Sequence, residues 1–300
     1  MILRKVLFGL TLVVLATAGF VWFRIHRTNA FFEPHALLGR FPVEEAVVLS
    51  ADFKSLRQAG LLTGSKAPLE ADYKQFLDGT GFDYRRDLDL VVASFSAHGN
   101  YFIARGHFNW AKMRDYVVKQ GGSCYQQLCR VQGSTPDRHI SFLPLRDDAI
   151  ALAVSTNDLA ATAMTNASQP IAAELPSAPV WLSIPGAELR RPNTLPGGLH
   201  LMLSALQNAD RITVTLGTSP AGMQARLETV CKTAVDAGVL ASQLRITTAS
   251  LKEAIARDKD AQNDELAAAL ISGSFDQSDR KVVGTWPVHK SLLESLTAGI

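Results

Sequence analysis

The sequence predicts an α+β protein, with an N-terminal transmembrane helix followed by two similar α+β lobes with mainly antiparallel sheets. Three observations carry that expectation. An uncharged run of 18 residues, positions 6–23, lies between Arg4–Lys5 and Arg24. Beyond it, short β-rich runs joined by tight turns alternate with amphipathic helical stretches, a pattern that favours antiparallel pairing. The same order of elements then recurs after a proline-bearing stretch. The expected division is an anchor at 1–27, a juxtamembrane connector at 28–43, a first lobe at 44–166, a linker at 167–177 and a second lobe at 178–300.

As a helix, the N-terminal run spans about 27 Å, close to the hydrocarbon thickness of a bilayer. Its backbone can enter lipid only if it bonds to itself. Phe20, Trp22 and Phe23 gather at the far end, where aromatic rings favour the interface. Ala16-Thr17-Ala18 resembles a peptidase site, which suits cleavage. The apolar run continues past Ala18, which favours a retained signal anchor. No cysteine precedes Cys124, which argues against a lipoprotein. The amino terminus, Arg4 and Lys5 slightly outweigh Arg24 and Arg27, so the bulk of the chain is expected outside the cytoplasm.

The 47% hydrophobic and 19% charged composition is that of a folded chain with a core. The anchor holds four of the 30 basic residues and no acid, leaving 26 basic against 28 acidic residues in the remainder. Nothing in that balance draws nucleic acid.

In chain order, Pro34, Gly39 and Pro42 break regular structure in the connector. EAVVLSAD (45–52) reads as a buried strand and FKSLRQAG as a short helix stopped by Gly60. LEADYKQFLDGTG carries Leu69, Tyr73, Phe76 and Leu77 at helical spacing. LDLVVASF and YFIARGHF flank a Gly/Asn loop and form a hairpin. Asn109 caps the helix WAKMRDYVVKQ, which Gly121 ends. HISFLPLRDDAIALAVS is a second hairpin, followed by the helix DLAATAM behind Thr156 or Asn157. In the second half, APVWLSIPG is a strand and LPGGLHLMLSALQN a helix. RITVTLGT and MQARLETV form a hairpin turning at 219–222. A helical stretch follows from Val230, with Ser250 and Glu253 as a capping box for LKEAIARD. AALISGSF and KVVGTWPV then pair as strands, and KSLLESL closes as a helix.

Motifs that name an enzyme are missing: no phosphate-binding glycine loop, no zinc-helix signature and no serine elbow. The seven histidines are scattered, without a second ligand at metal spacing. Catalytic, cofactor-binding and metal residues are therefore assigned to none.

Four features remain. Cys124 and Cys129 are candidates for a structural disulfide in an oxidising compartment. Five extended steps span about 17 Å, whereas bridged Cα atoms lie about 5.5 Å apart, so residues 125–128 must turn back. Cys231 lies near a helix start, which favours a thiolate, although a small buried hydrophobe is the plainer reading. In GFDYRRDLD, Arg85 and Arg86 could fork around an anion; the plainer reading has Asp83 capping a turn and the arginines paired with Asp87 and Asp89. Arg105 and His107 fall on one side of a strand by the period of two, facing a ligand or, more plainly, solvent opposite Phe102, Ala104 and Phe108. Asn166-Ala167-Ser168 is a sequon, relevant only in a eukaryotic secretory pathway.

The runs FDYRRDLDLVVASF and YFIARGHFNW, with the cysteine loop after them, resemble uncharacterised bacterial proteins with an N-terminal anchor and an exported α+β region. The resemblance is strongest over residues 52–165. It implies a bacterial envelope (periplasmic) location and no catalytic residues. The expected function is a membrane-anchored, extracytoplasmic binding or scaffolding protein. The alternatives are an envelope hydrolase with a dispersed active site, or a small-ligand sensor or carrier between the lobes. The expected partners are the membrane, through the N-terminal helix, and an envelope protein; no nucleic acid and no cofactor are expected.

Overall fold

The computed structural model describes residues 33–42, 46–62, 71–166, 175–190, 206, 209–219, 222–257 and 265–289. The expected transmembrane helix, the helix at 195–208 apart from Leu206, and the closing helix KSLLESL lie outside the described residues.

The elements run α1 (Pro34–Leu38), β1 (Val47–Asp52), α2 (Phe53–Gln58), α3 (Ala71–Thr80), α4 (Tyr84–Asp87), β2 (Leu88–Ser96), β3 (Gly99–Gly106), α5 (Trp110–Lys119), β4 (Ser123–Tyr125), β5 (Leu128–Gln132), β6 (His139–Arg146) and β7 (Ala149–Ser155). A 3-10 turn (Ala160–Thr165) leads to β8 (Val180–Pro185), α6 (Gly186–Leu189), β9 (Ala209–Ser219), β10 (Gly222–Cys231), α7 (Ala234–Arg257), α8 (Glu265–Ile271), β11 (Ser274–Ser278) and β12 (Lys281–Pro287).

The expectation of two lobes with their own sheets is wrong. The twelve described strands form one antiparallel sheet in the order β11-β12-β10-β9-β8-β1-β2-β3-β7-β6-β5-β4. The halves of the chain meet strand to strand at a seam, where Val48 pairs with Ser183, Leu49 with Leu182, Ser50 with Trp181 and Ala51 with Val180. The physical reason lies in β1 and β8. Each is the first strand of its half, and each would leave a row of bare N–H and C=O groups if its half closed alone. Pairing satisfies both rows at once. Outward from the seam the neighbours run β1-β2-β3-β7-β6 on one side and β8-β9-β10-β12-β11 on the other. Among the described residues the borders of the sheet are β4, with three residues, and β11, with five.

Register decides which residues share a face. Ser50, Trp181, Val92, Ile103 and Ala151 align across neighbouring strands on what we term the front face. Leu37 and Leu38 of α1 cover that side, with Ala160, Ala161 and Met164 of the 3-10 turn. On the back face, Met113 and Val117 of α5 pack on Cys129, Phe142 and Ile150. Further along the same face, Ala237, Leu240, Ala241 and Leu244 of α7 pack on Ile212, Leu227, Phe275 and Val282. These α7 positions repeat at three and four residues, which gives a helix one buried stripe. The front of β10 and β12 is polar instead, with Glu228 held by Lys281 at 3.0 Å and by Arg226 at 3.4 Å.

Other expectations also need correction. The connector is not irregular throughout: Pro34 opens α1, and Leu37 is fully buried. Proline suits a first helical turn, where its missing N–H costs nothing. Ser250 lies inside α7 rather than at a helix start. The local cap is Thr233, whose hydroxyl accepts from the Asp236 N–H at 3.1 Å. The stretch from Val230 begins as strand, since β10 runs to Cys231. In AALISGSF the residues up to Ile271 are helical, and only Ser274 onward is strand. The alanines and leucine there favour a helix over a strand.

Cys124 and Cys129 form a disulfide between directly paired positions of β4 and β5, with Cα atoms 4.0 Å apart. The turn-back occurs at Gln126, whose φ is +52°. Replacing both cysteines by serine is expected to lower the unfolding free energy by about 2 kcal/mol, the entropic value for so short a loop. Urea melts of the oxidised chain and the double variant measure the difference, and equal midpoints would refute it.

Candidate functional site

Asp52 ends β1 and caps α2; its carboxylate accepts from the Ser55 N–H at 2.8 Å and the Ser55 hydroxyl at 2.7 Å. The cap satisfies helix donors that would otherwise be bare. Arg57 of α2 then reaches the start of β2, donating to Asp89 at 2.6 Å and to the Leu88 carbonyl. The Asp52 N–H donates to the Pro179 carbonyl at 2.7 Å, which ties the approach to β8 onto the end of β1.

These segments and α1 enclose a cleft of about 900 Å³ at the seam. Leu90 and Trp181 line it and are 9% and 4% exposed, so the cleft opens onto the edge of the front core. Ser50, 3% exposed, lies beside them on β1. Leu56, Leu61 and Leu175 add apolar wall. The charged lining is Glu33, Asp52 and Asp89 against Lys54 and Arg105, with His35. Asp89 is already neutralised by Arg57. Groups of both signs therefore line the cleft.

The arginine pair of GFDYRRDLD is not an anion fork. Asp83 caps α4 through the Arg85 N–H and binds the Arg85 guanidinium twice, at 3.0 and 2.9 Å. Arg86 binds Asp87 twice, at 2.8 and 2.7 Å. The pairing differs from the plainer expectation in one partner, because Asp89 belongs to Arg57. The Tyr73 hydroxyl donates to Asp83 at 3.1 Å; burial, ahead of that carboxylate, pushes Tyr73 up to about 12. Hydrogen bonds from Arg85 and Arg86 hold the Asp83 and Asp87 carboxyls below the usual range.

A lowered carboxyl binds fewer protons folded than unfolded, so its stabilisation is present above about pH 4 and is lost as pH falls through the lowered native value. The double variant Asp83→Asn, Asp87→Asn is expected to show a shallower loss of stability from about pH 5 to about pH 2. Urea midpoints across that range test it, and an unchanged slope would count against both pairs.

Arg105 and His107 are not neighbours on one exposed face. β3 ends at Gly106, where an added Cβ would meet the Asp87 carbonyl, and His107 lies beyond the strand and exposed. Arg105 shares the front face with Tyr101 and Ile103 and lines the cleft. Its charge assists Arg146 in lowering Asp148. Cys231 is 1% exposed at the end of β10, and burial pushes its thiol up, away from a reactive thiolate. Of the sequon, Asn166 directly follows the 3-10 turn and the other two residues lie outside the described set. Among the described residues no three His, Cys, Asp or Glu side chains gather at metal-binding distance.

Sequence reasoning missed Ser50, Asp52, Lys54 and Trp181. The available signal was the D-x-x-S spacing of Asp52 and Ser55 directly after an apolar strand, which marks a capped helix at a strand end.

No protein-family model and no curated protein matches the chain. Among solved structures, crystal form I of TP0453 is similar at 12% identity and a TM-score of 0.45, over 89% of this chain and 97% of that one. Crystal form III of TP0453 is similar at 10% identity and a TM-score of 0.48, over 89% and 98% of the two chains. Likeness at this level carries no argument about this chain.

Proposed function

We propose that this chain is a membrane-anchored, extracytoplasmic binding protein of the bacterial envelope. Its ligand is a small amphiphile, held in the cleft at the β1–β8 seam. One observation carries the reading: a cleft of about 900 Å³ combines an apolar floor at Leu90 and Trp181 with charged lining groups of both signs. That volume sits in the upper part of the roughly 300–1,000 Å³ range of ligand sites, whose linings are likewise apolar with a few polar groups. The uncharged run at 6–23 supports the anchor. A catalytic role has less support, because no enzyme motif accompanies the cleft.

Trp181 supplies the test. The full chain in phospholipid nanodiscs is titrated with glycerol monooctanoate, and the emission of Trp181→Phe is subtracted from that of the parent. The expected result is a saturable change in the difference signal. Leu56→Glu is expected to weaken binding by about tenfold or more, since it places a charge in the apolar wall. Far-UV circular dichroism checks that the variant folds. A flat difference signal, or parent-like titration by a folded Leu56→Glu chain, refutes the proposal.

A further inference from the structure

We infer that the ligand of this cleft presents an uncharged acyl carbonyl, as an ester or an amide does, to the Ser50 hydroxyl and the Trp181 indole N–H. The inference rests on the binding reading above and names the chemistry that the ligand brings. Three observations lead to it.

The first is a pair of polar groups left open in the cleft floor. Ser50 and Trp181 are 3% and 4% exposed, and both line the cleft. Among the described residues neither side chain makes a hydrogen bond. Comparable groups elsewhere are satisfied. Trp110 donates to the Asp147 carbonyl and Trp286 to the Leu270 carbonyl, each at 3.3 Å. The buried Ser141 hydroxyl accepts from the Ala161 N–H at 3.1 Å, and Ser155 donates to the His98 carbonyl at 3.0 Å. Ser94 is unpartnered too, but it is fully buried and does not line the cleft. A buried indole N–H usually has a partner, so an open one in a cavity marks a place for an incoming acceptor.

The second is register. Ser50 of β1 lies directly opposite Trp181 of β8 in the ladder, on the front face. The Cβ atoms of such a pair are about 4.5–5.5 Å apart. The hydroxyl and the indole are thus neighbours on the floor, within reach of one functional group.

The third is the kind of group that fits. An indole N–H only donates, so the ligand atom must accept. A carbonyl oxygen takes two hydrogen bonds and brings no donor that would need a partner of its own. That suits a floor where the cross-strand neighbour of Ser50 on the other side is Val92, with Leu90 beside it. A carboxylate would also accept. However, Asp52 is the next residue on the same face of β1, about 7 Å along the strand, and two like charges that close disfavour each other's ionised form.

The test is titration calorimetry of the full chain in phospholipid nanodiscs, with empty nanodiscs as the blank. Glycerol monooctanoate carries the ester carbonyl, 1-O-octylglycerol has an ether in its place, and octanoate has a carboxylate. The ester is expected to bind about tenfold or more tightly than the ether, the worth of two neutral hydrogen bonds. Ser50→Ala and Trp181→Phe should each lower that ester-to-ether ratio about threefold to fivefold, whereas lost packing would weaken both probes alike. Ser50→Ala should not lower the urea midpoint, because the hydroxyl it removes bonds nothing in the free fold. Equal affinity of ester and ether in the parent, an unchanged ratio in either variant, or a lower midpoint in Ser50→Ala overturns the carbonyl assignment and leaves the binding reading standing. Octanoate binding more tightly than the ester overturns the uncharged acceptor. If glycerol monooctanoate itself does not bind, both readings fall.

Discussion

Proline at position 182 is expected to destabilise the whole sheet at once. Leu182 sits in β8, paired with Leu49 of β1 on one side and with Val214 of β9 on the other. Proline removes the N–H donor, and its ring forces neighbouring strands apart, so it is confined to edge strands and bulges. The lost ladder bond and the displaced strands weigh heavily against total stabilities of about 5–15 kcal/mol. Position 182 is also where the halves of the chain join, so the damage has no boundary at which to stop. Trp110, the first residue of α5, and Trp286, on β12, report from opposite halves. In denaturant melts of Leu182→Pro both signals should shift together. A variant in which Trp110 melts as in the parent while Trp286 does not would show that the sheet is not one cooperative unit.

Ile103→Ala is expected to cost about 3–4 kcal/mol. Ile103 is fully buried on the front face of β3, opposite Val92 and Ala151 in the register. Its neighbours across the sheet include the alanines 149, 151 and 153, which are already small and cannot swell to fill a void. The loss is therefore the transfer free energy of the missing carbons plus an unrelieved cavity. Ile103→Val, which removes one methylene, should cost about 1 kcal/mol. Urea midpoints at constant slope give both values. A change below about 1 kcal/mol for the alanine variant would mean that the front core collapses around the gap.

Local signals in this sequence were readable because they act between near neighbours. The hairpin β2–β3 lies where alternation and the Ser96–Asn100 loop placed it. Asn109 caps α5 through the Lys112 N–H, and Asp83 caps α4. The cysteines had to double back because extended chain could not bring them together. What stayed hidden depends on partners far along the chain. Pairing of β1 with β8 joins residues about 130 positions apart, and no periodicity within either strand states it. The cleft is hidden for the same reason: Trp181 and Leu90 meet only once the seam has formed. Arg105 was misread because the period of two gives a shared side but not which side is covered. Tyr101 and Ile103, on its own side, are the buried ones. The alanine-rich stretch before Ser274 could read as strand or helix by hydrophobicity alone, and packing against α7 resolved it as helix.

A sheet of twelve described strands invites fibre formation through its two outer strands. Unpaired ladder groups on a border recruit further strands from other copies. Here one border is three residues long, welded by a disulfide to the strand beside it. The other is five residues long and presents Ser274, Asp276, Gln277 and Ser278 to solvent, leaving only Phe275 buried. Neither offers the long apolar template that amyloid growth requires. The chain thus gains the breadth of a large sheet with little of its usual stickiness.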